Sequence, residues 1–440
     1  MTDTTAGLRN PHREELGSVF ISNYPPYSVW SRDELKHVHE ALARKPEAGH
    51  PLGLYLHIPF CRKRCKFCYF KVYTNVDSAQ IRRYLAGLER EVALLAEKTA
   101  IAGRPLQFVY FGGGTPSFIG VKDLRDLVTA IQRSIPWTGA REITFECEPG
   151  TITRQKLEAI RGIGVTRLSL GVESFDDGIL QENGRAHLSA EIDRALPWVR
   201  AVGFDQLNID LIAGMVGETD ATWSSSVRRT VEVQPDSVTI YQMELPYNTV
   251  YSGDLVHGRE VIVSAWNQRR RWHDQAIEAL LRAGYEVSSA YTMVRKDKGC
   301  TFVYRDALWH GADMLGTGVA SFSYVGGVHF QNETEQGPYL DRLERGELPL
   351  FRGLRTTNRQ RCLRQLILQM KMGHVEAGPI QARFGIDILK EYDGLLKELE
   401  GEGMLRIERG GIVLTRKGLL QVDHFLPRFY EPEFQGARYT

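Results

Sequence analysis

From Leu52 onward, short apolar runs alternate with longer stretches in which apolar residues recur every three or four positions. The runs are LGLYLHI (52–58), QFVYF (107–111), EITFEC (142–147), TRLSLGV (166–172), QLNIDLI (206–212) and DSVTIYQM (236–243). Helical periods fall between them at about 78–98, 121–134, 153–162, 190–203 and 221–233. Brief apolar runs predict strands and the longer period predicts helices. Strand and helix in regular alternation predict parallel βα units, and so an α/β fold. Six such units suit a partial (β/α)6 barrel at least as well as an open doubly wound sheet. In either case chemistry belongs at the C-terminal ends of the strands.

The flanks have other patterns. Residues 1–50 are rich in Pro, Tyr, Trp and charge; SNYPPYSVWS predicts an extended, aromatic-anchored arm before a helix from about Arg32 to Arg44. After Tyr247 a long helix is predicted around 264–283, then a strand at 285–291. The Gly-rich MLGTGVASFSYVGGVHF predicts a β-hairpin over the open side of the barrel. From Thr356 comes a helix with Leu363, Leu366, Ile367 and Met370 on one face, then two shorter helices. LRIERGGIVLT follows, a hairpin turning at Gly410-Gly411. Helices followed by a two-stranded wing resemble a winged-helix module. The expected division is an arm (1–50), a barrel (51–250), an extension (251–354) and a C-terminal winged-helix-like α+β module (355–440).

Composition narrows the function without naming it. With 55 basic and 54 acidic residues in 440, no net field attracts nucleic acid or a membrane surface, so neither is expected as a partner. The wing carries mixed charge and nothing marks a recognition helix. The N-terminus lacks a secretory layout, and no apolar run approaches the roughly 18 to 20 residues that span a bilayer. A cytoplasmic protein with a small-molecule substrate is expected.

Six cysteines are too few for a disulfide framework, and three of them crowd into Cys61-Arg62-Lys63-Arg64-Cys65-Lys66-Phe67-Cys68. Three thiolates on one loop after a strand can face a common centre. On a four-iron cube they leave one iron open, which can bind the amino and carboxylate groups of S-adenosylmethionine (AdoMet) and pass an electron to its sulfonium. Arg62, Lys63, Arg64 and Lys66 would offset the cluster's negative charge. A structural zinc site is the alternative, and it would want four ligands. Cys147, Cys300 and Cys362 are scattered and fit buried small hydrophobes; Cys147 alone lies beside the proposed site.

Gly112, Gly113 and Gly114, with Thr115, follow the second strand, where glycines let the backbone approach a ligand and offer N–H groups to a carboxylate. Glu146 ends the third strand, Glu173 the fourth, Arg185 lies in the loop-helix after it, and Asp210 is in the fifth. Polar residues at successive strand ends make a ligand site at a barrel mouth; each alone could be an ion-pair partner. Tyr241, Gln242 and Glu244, at the sixth strand's end, are the candidates for a base or proton relay. His57 fits a structural hydrogen bond.

YLHIPFCRKRCKFC, FGGGTP, FECEPG, LSLGVESF, NGRAH and NIDLIAGM together resemble the ordered motifs of the oxygen-independent coproporphyrinogen III oxidase family, the HemN-like branch of radical AdoMet enzymes. The likeness spans nearly the whole chain. It implies that Cys61, Cys65 and Cys68 hold a [4Fe-4S] cluster, and that Tyr55 and Phe67 lie beside the AdoMet bound to it. Gly112, Gly113, Gly114 and Thr115 would hold its methionyl group, Glu146 and Glu173 its polar ends, and Arg185 and Asp210 its carboxylate and ribose. It further implies a second AdoMet near Trp309 and Phe322, and an electron donor such as a flavodoxin or ferredoxin.

Two departures bear on the reaction. The oxidase proper carries a fourth cysteine shortly after the last cluster ligand, where this chain has Tyr69-Phe70-Lys71, and it has Gln at the position of Glu173. Trp309 and Phe322 also stand where the oxidase has Gln and an aliphatic residue, and a Trp at the position of Trp309 is similar to a haem-chaperone relative and to methylases of the same branch. Those enzymes use one AdoMet as radical source and another as methylene donor to an sp² carbon. Some relatives close a cyclopropane, and a partner methyltransferase can complete ring closure. Methylation or cyclopropanation of an unsaturated small molecule is therefore the leading expectation. Porphyrinogen decarboxylation and haem carriage are the alternatives.

Overall fold

The computed structural model describes residues 20–408 and 410–437; the MTDTTAGLRN segment lies outside them. β1 (Leu52–Ile58), β2 (Leu106–Gly113), β3 (Glu142–Cys147), β4 (Arg167–Glu173), β5 (Gln206–Ala213) and β6 (Ser237–Gln242) pair in chain order, all parallel. The expected α/β half-barrel is present. It stays open because β1 and β6 each pair outward instead of with each other.

Those outward partners differ from expectation. The stretch predicted as one strand at 285–291 is an antiparallel pair, β7 (Tyr285–Val287) and β8 (Thr292–Arg295), added beside β6. Ser288 and Ser289 make the turn, both donating backbone N–H to Thr292 O. The Gly-rich segment does contain the expected hairpin, but the hairpin extends the sheet beyond β1 rather than folding over the opening. The segment's first part, β9 (Asp313–Thr317), pairs parallel to β1. β10 (Phe322–Val325), β11 (Val328–Asn332) and β12 (Leu350–Arg355) continue the sheet antiparallel. Gly326-Gly327, both at positive φ, turn β10 into β11.

Side chains alternate across a strand, so each strand has one face toward the helices and one toward the lumen. The outer face carries Leu54, Leu56, Val109, Phe111, Phe145 and Leu170, fully buried against the helices. The helix Val121–Ser134 returns Leu124, Leu127, Val128 and Ile131, spaced for one face. Each such side chain contributes about 2 kcal/mol by leaving water. The helix Ser78–Ala96 starts at a capping box in which Asp77 and Gln80 exchange side-chain-to-backbone hydrogen bonds. The lumen face is polar instead.

A helix absent from the sequence reading, Val303–Trp309, closes the bottom of the lumen. Glu142, at the start of β3, accepts the backbone N–H groups of Val303 (3.0 Å) and Tyr304 (3.1 Å), so a buried carboxylate meets the helix's positive end.

The C-terminal module has its own core. Leu363, Leu366, Ile367 and Met370 of the helix Asn358–Met370 are buried in it, as their spacing predicts. Three short helices follow where two were expected: Ala377–Phe384, Ile388–Glu391 and Asp393–Gly401. The wing has three strands, with β13 (His374–Glu376) joining β14 (Leu405–Glu408) and β15 (Gly411–Leu414). Ile21 and Tyr24 of the arm belong to this core, so the arm is fastened to the C-terminal module.

Candidate active site

The cysteine loop leaves β1 and is held at both ends by backbone hydrogen bonds. Cys61 N–H donates to Tyr73 O (3.1 Å), Tyr73 N–H to Pro59 O (2.8 Å), and Lys66 N–H to Asn183 O (3.0 Å). Asn183 is fixed in turn. Its buried amide donates to Ile179 O (2.8 Å) and Val216 O (2.9 Å) and accepts from Val216 N (3.1 Å). Within the loop Cys68 N–H closes a turn on Cys65 O.

Burial pushes the Cys61 thiol up to about 11 and the Cys68 thiol to about 12, so neither becomes a thiolate at neutral pH on the protein's charges alone. Iron ligation supplies the missing charge. Among the described residues no three His, Cys, Asp or Glu side chains close on a point as a single-ion site would. The ligands of a four-iron cube sit on separate corners and need not do so. The surroundings fit such a group. Thr115 Oγ1 donates to Cys61 Sγ (3.4 Å), and Arg185 Nη1 donates to Cys65 Sγ (3.3 Å).

The expected charge neutralisers are mostly committed elsewhere. Arg62 pairs with Glu148 (3.7 Å) and donates to Ala186 O, and Lys66 pairs with Glu182 (3.1 Å). Arg64 donates to Cys68 O and Asn248 O. Arg185 is the guanidinium that touches a cysteine sulfur. It also donates to Gly171 O (2.7 Å) and stands 3.8 Å from Glu173.

The glycine run explains itself by packing as well as by ligand approach. Gly113 has φ +117°, and a Cβ at Gly114 would stand 2.9 Å from Phe60 O and Pro59 C and 3.0 Å from Cys61 Sγ. Gly113 N–H donates to Glu146 (3.2 Å), whose other oxygen takes the Tyr110 hydroxyl at 2.7 Å. Burial raises both Glu146 and Glu173 to about 7. Glu173 sits at a register shift between β4 and β5 with φ +67°, a strained position that redirects its carboxylate. Asp210 accepts from Ser169 (2.9 Å) and Asn208 (2.9 Å).

Strand alternation brings Tyr55, Gly112, Glu146, Asp210 and Tyr241 to the lumen face, and Gly113, Gly114, Thr115, Glu173 and Arg185 to its rim. Gln242 is a correction. One residue after Tyr241, it points out of the lumen, with its amide beside His273 Nδ1 (3.2 Å) and donating to Leu420 O (3.3 Å). The period-2 alternation of β6 cannot place both on one side. Glu244, past the strand, accepts the Phe20 N–H (2.7 Å), and burial pushes it up to about 8.

Phe67 packs against the apolar cluster of Ile212, Met215, Val216 and Met243. The two residues expected at a second AdoMet lie on different walls. Phe322 packs on Tyr27 (4.1 Å) and Trp30 (5.6 Å), whereas Trp309, buried, has Arg305 (5.4 Å) and Lys371 (5.9 Å) over its ring. His57 lies 3.4 Å from the Tyr55 hydroxyl and is kept neutral by burial. Cys147 faces the outer core.

Sequence reading missed Tyr110, Asn208 and Arg167. Tyr110 stacks between Tyr55 (5.7 Å) and Tyr304 (4.4 Å), and Arg167 lies 4.0 Å from the Phe302 ring. The signal was present: each is a polar or amphipathic residue at an alternate position of an apolar strand. Asn183 and Glu148 had no such signal, because both work from loops.

A three-cysteine loop after the first strand of an open parallel half-barrel, facing a polar lumen, defines a radical AdoMet enzyme. The Radical SAM superfamily model matches residues 55–229, and that of the HemN C-terminal domain matches 356–420. The oxygen-independent coproporphyrinogen III oxidase of Escherichia coli is 27% identical over 415 residues, 91% of this chain and 89% of that protein. The haem chaperone HemW of a Synechocystis species is 29% identical over 299 residues, covering 67% of this chain and 71% of that one. The solved structure of the E. coli coproporphyrinogen III oxidase (HemN), described as a radical SAM enzyme, has a TM-score of 0.80 at 25% identity and covers 93% of this chain and 96% of that one. The chain belongs to the HemN-like branch of the radical SAM superfamily, and its cofactors are a [4Fe-4S] cluster and AdoMet. Among the described residues no helix is long and apolar enough to cross a membrane.

Proposed function

We propose that the protein is a two-AdoMet radical enzyme that transfers a methylene group from one AdoMet to an unsaturated small molecule, giving a methylated or cyclopropanated product. The cluster on Cys61, Cys65 and Cys68, with the AdoMet bound to it, supplies a 5′-deoxyadenosyl radical. The chain's own residues bind and orient. Gly112, Gly113, Gly114 and Thr115 present backbone and hydroxyl groups to the methionyl end. Arg185 receives a carboxylate while holding the Cys65 sulfur, and Asp210 receives a ribose hydroxyl. Glu146 and Glu173 take the remaining polar ends, Tyr55 lines the adenosyl position, and Phe67 keeps the loop packed. Phe322 and Trp309 serve the second AdoMet.

Glu244 carries the assignment of reaction type. Methylene transfer ends in a proton transfer, and Glu244 is a buried carboxyl that accepts the Phe20 N–H (2.7 Å) and is raised to about 8, able to give or take a proton at physiological pH. Tyr69-Phe70-Lys71, where the oxidase has a further cysteine, supports the same reading. Porphyrinogen decarboxylation is the second reading, favoured by the oxidases' match over nine-tenths of the chain.

The deciding experiment supplies reconstituted protein with dithionite and AdoMet bearing a deuterated methyl group. Deuterium in 5′-deoxyadenosine shows abstraction from a second AdoMet and supports methylene transfer. Unlabelled 5′-deoxyadenosine moves the assignment to the oxidase reaction, and none at all moves it to haem carriage.

A further inference from the structure

Two of the ordered motifs carry a residue that the AdoMet contacts leave unused: Glu148 in FECEPG and His187 in NGRAH. The two side chains meet. His187 Nδ1 lies 2.9 Å from Glu148 Oε1, and Nε2 lies 3.3 Å from Val172 O. The carboxylate is the stronger acceptor, so Nδ1 carries the proton and donates it. The pair is deeply buried, with Glu148 8% exposed and His187 2%.

Glu148 is gripped from several sides. Gly150 N–H donates to Oε1 (3.0 Å), and Arg62 Nε stands 3.7 Å from the carboxylate. Its own backbone N–H donates to Ser117 Oγ (3.1 Å), and its carbonyl accepts from Thr151 Oγ1 (2.8 Å). Arg62 follows Cys61 directly. Its guanidinium lies against Gly150, where a Cβ would strike it, and donates to Ala186 O beside His187. One carboxylate thus ties the cysteine loop to the end of β3 and to the NGRAH loop.

A neutral amide could make the same ties, so the charge has another consequence. Burial opposes the charge on Glu148, but the His187 hydrogen bond, the Gly150 N–H and the Arg62 guanidinium outweigh it and hold Glu148 below the ordinary carboxylate range. The charge is felt at the ligand loop. Burial first, and the Cys65 and Glu148 charges after it, raise the Cys61 thiol. An anion that disfavours negative charge on Cys61 also disfavours the electron that reduction adds to a cluster ligated there, and buried charges are weakly screened.

We propose that Glu148 is a positioning residue whose buried charge, oriented by His187 and partly offset by Arg62, lowers the midpoint potential of the cluster on Cys61, Cys65 and Cys68. A lower potential makes the reduced cluster a stronger electron donor to the AdoMet sulfonium. The proposal rests on the reading of these three cysteines as the cluster's ligands.

The test reads the potential itself. Reconstituted protein without AdoMet is titrated with dithionite in the presence of redox mediators. The reduced cluster is counted by its electron paramagnetic resonance signal, and iron and sulfide are measured alongside. Glu148→Gln keeps the side-chain shape and an oxygen for Gly150 and His187, and removes the charge. At a fixed potential near the wild-type midpoint, its ratio of reduced to oxidised cluster should rise about tenfold, equivalent to about 59 mV for one electron. Arg62→Gln removes the opposing charge and should lower the ratio. The shift should be smaller, about threefold, because the Arg62 side chain is 41% exposed and solvent screens it. Full iron with an unmoved ratio in Glu148→Gln would overturn the proposal. A rise in both variants would also do so, because a loosened loop gives the same sign whichever charge is removed. If Glu148→Gln loads no cluster, Arg62→Gln decides alone: a lowered ratio supports the proposal and an unmoved or raised one overturns it. Wild-type protein that binds no four-iron cluster would remove the ligand reading, and the proposal with it.

Discussion

Replacing Gly114 by alanine separates two explanations of the glycine run. If the run exists only to bring backbone N–H groups to AdoMet, the substitution should leave the cluster intact and weaken AdoMet binding. The structure gives a different order of events. The added Cβ would stand 2.9 Å from Phe60 O and Pro59 C, and 3.0 Å from Cys61 Sγ. Two of these are backbone atoms at the root of the cysteine loop, pinned by the Cys61–Tyr73 and Tyr73–Pro59 hydrogen bonds, so they cannot swing aside as a side chain could. Relief requires the loop to retreat by several tenths of an ångström, and overpacking of this kind costs about 1–3 kcal/mol. The displaced atoms include a ligand sulfur, so most of that cost falls on cluster geometry. Gly114→Ala should therefore lose at least half of its bound iron and sulfide, with a melting temperature lowered by about 1–3 °C. Gly103→Ala, with nothing near its Cβ but a positive φ, controls for backbone strain and should retain full iron. Iron and sulfide analysis with thermal unfolding decides the matter. Full iron content with only a raised AdoMet dissociation constant would refute the packing argument.

Three further outcomes follow from particular contacts. Gln242→Ala should leave 5′-deoxyadenosine formation within about threefold of wild type while lowering stability by about 1 kcal/mol for the lost hydrogen bond; a hundredfold loss of turnover would return Gln242 to the lumen. Glu91 is buried beneath the Gly318 N–H (2.8 Å), Asn332 (2.6 Å) and Tyr339 (2.5 Å), and burial raises it to about 7. With the folded value above the unfolded one, its contribution is fully present below about pH 4.5 and lost as pH rises through about 7. The stability advantage of wild type over Glu91→Gln should thus shrink by up to about 3 kcal/mol between pH 4.5 and 8, and a pH-independent difference in urea unfolding would contradict this. Phe322→Ala should spare abortive 5′-deoxyadenosine formation while cutting deuterium transfer from labelled AdoMet; equal loss of both would remove Phe322 from the second AdoMet.

The half-barrel was legible because each of its strands is a compact apolar run closed by a polar residue, and such runs survive any tertiary arrangement. The extensions were less so. Thr292–Arg295 is too short to show a period, and β9 was hidden in a Gly-rich stretch that reads as one arm of a hairpin, although it pairs parallel to β1. The helix Val303–Trp309 is nucleated by a carboxylate 161 residues earlier in the chain, which no local pattern can display. Within the site, cysteine spacing and strand-end acids were visible in the sequence. Gln242 was misplaced because Tyr241, Gln242 and Glu244 were taken together, although alternation separates the neighbours Tyr241 and Gln242. The basic residues between the cysteines suggested local charge balance, whereas the partners of Arg62 and Lys66, Glu148 in a loop and Glu182 at the end of the helix Asp177–Glu182, lie far along the chain.

The arm and the C-terminal module look peripheral in sequence, yet they meet at the rim where Glu244 stands. Phe20 donates its N–H to Glu244, and the next residue, Ile21, donates its N–H to Asp423 (2.9 Å) and accepts from Lys371 Nζ (2.5 Å). Lys371, fully buried, closes on Asp423 at 3.0 Å and lies 3.7 Å from the Phe20 ring. Breaking one side of such a buried pair costs about 3–5 kcal/mol, so the arrangement holds as a unit. Glu244 also owes its raised pKa in part to this unit, because burial comes first and the Asp423 charge second, while the Lys371 charge pulls the other way. Lys371→Met removes a cation that lowers Glu244 and leaves the Asp423 charge that raises it, so Glu244 should stay protonated to higher pH, even though residue 371 lies outside the barrel. A pH profile of turnover that shifts to higher pH in this variant would bear that out. A lower rate with an unshifted profile would confine Lys371 to holding the module in place.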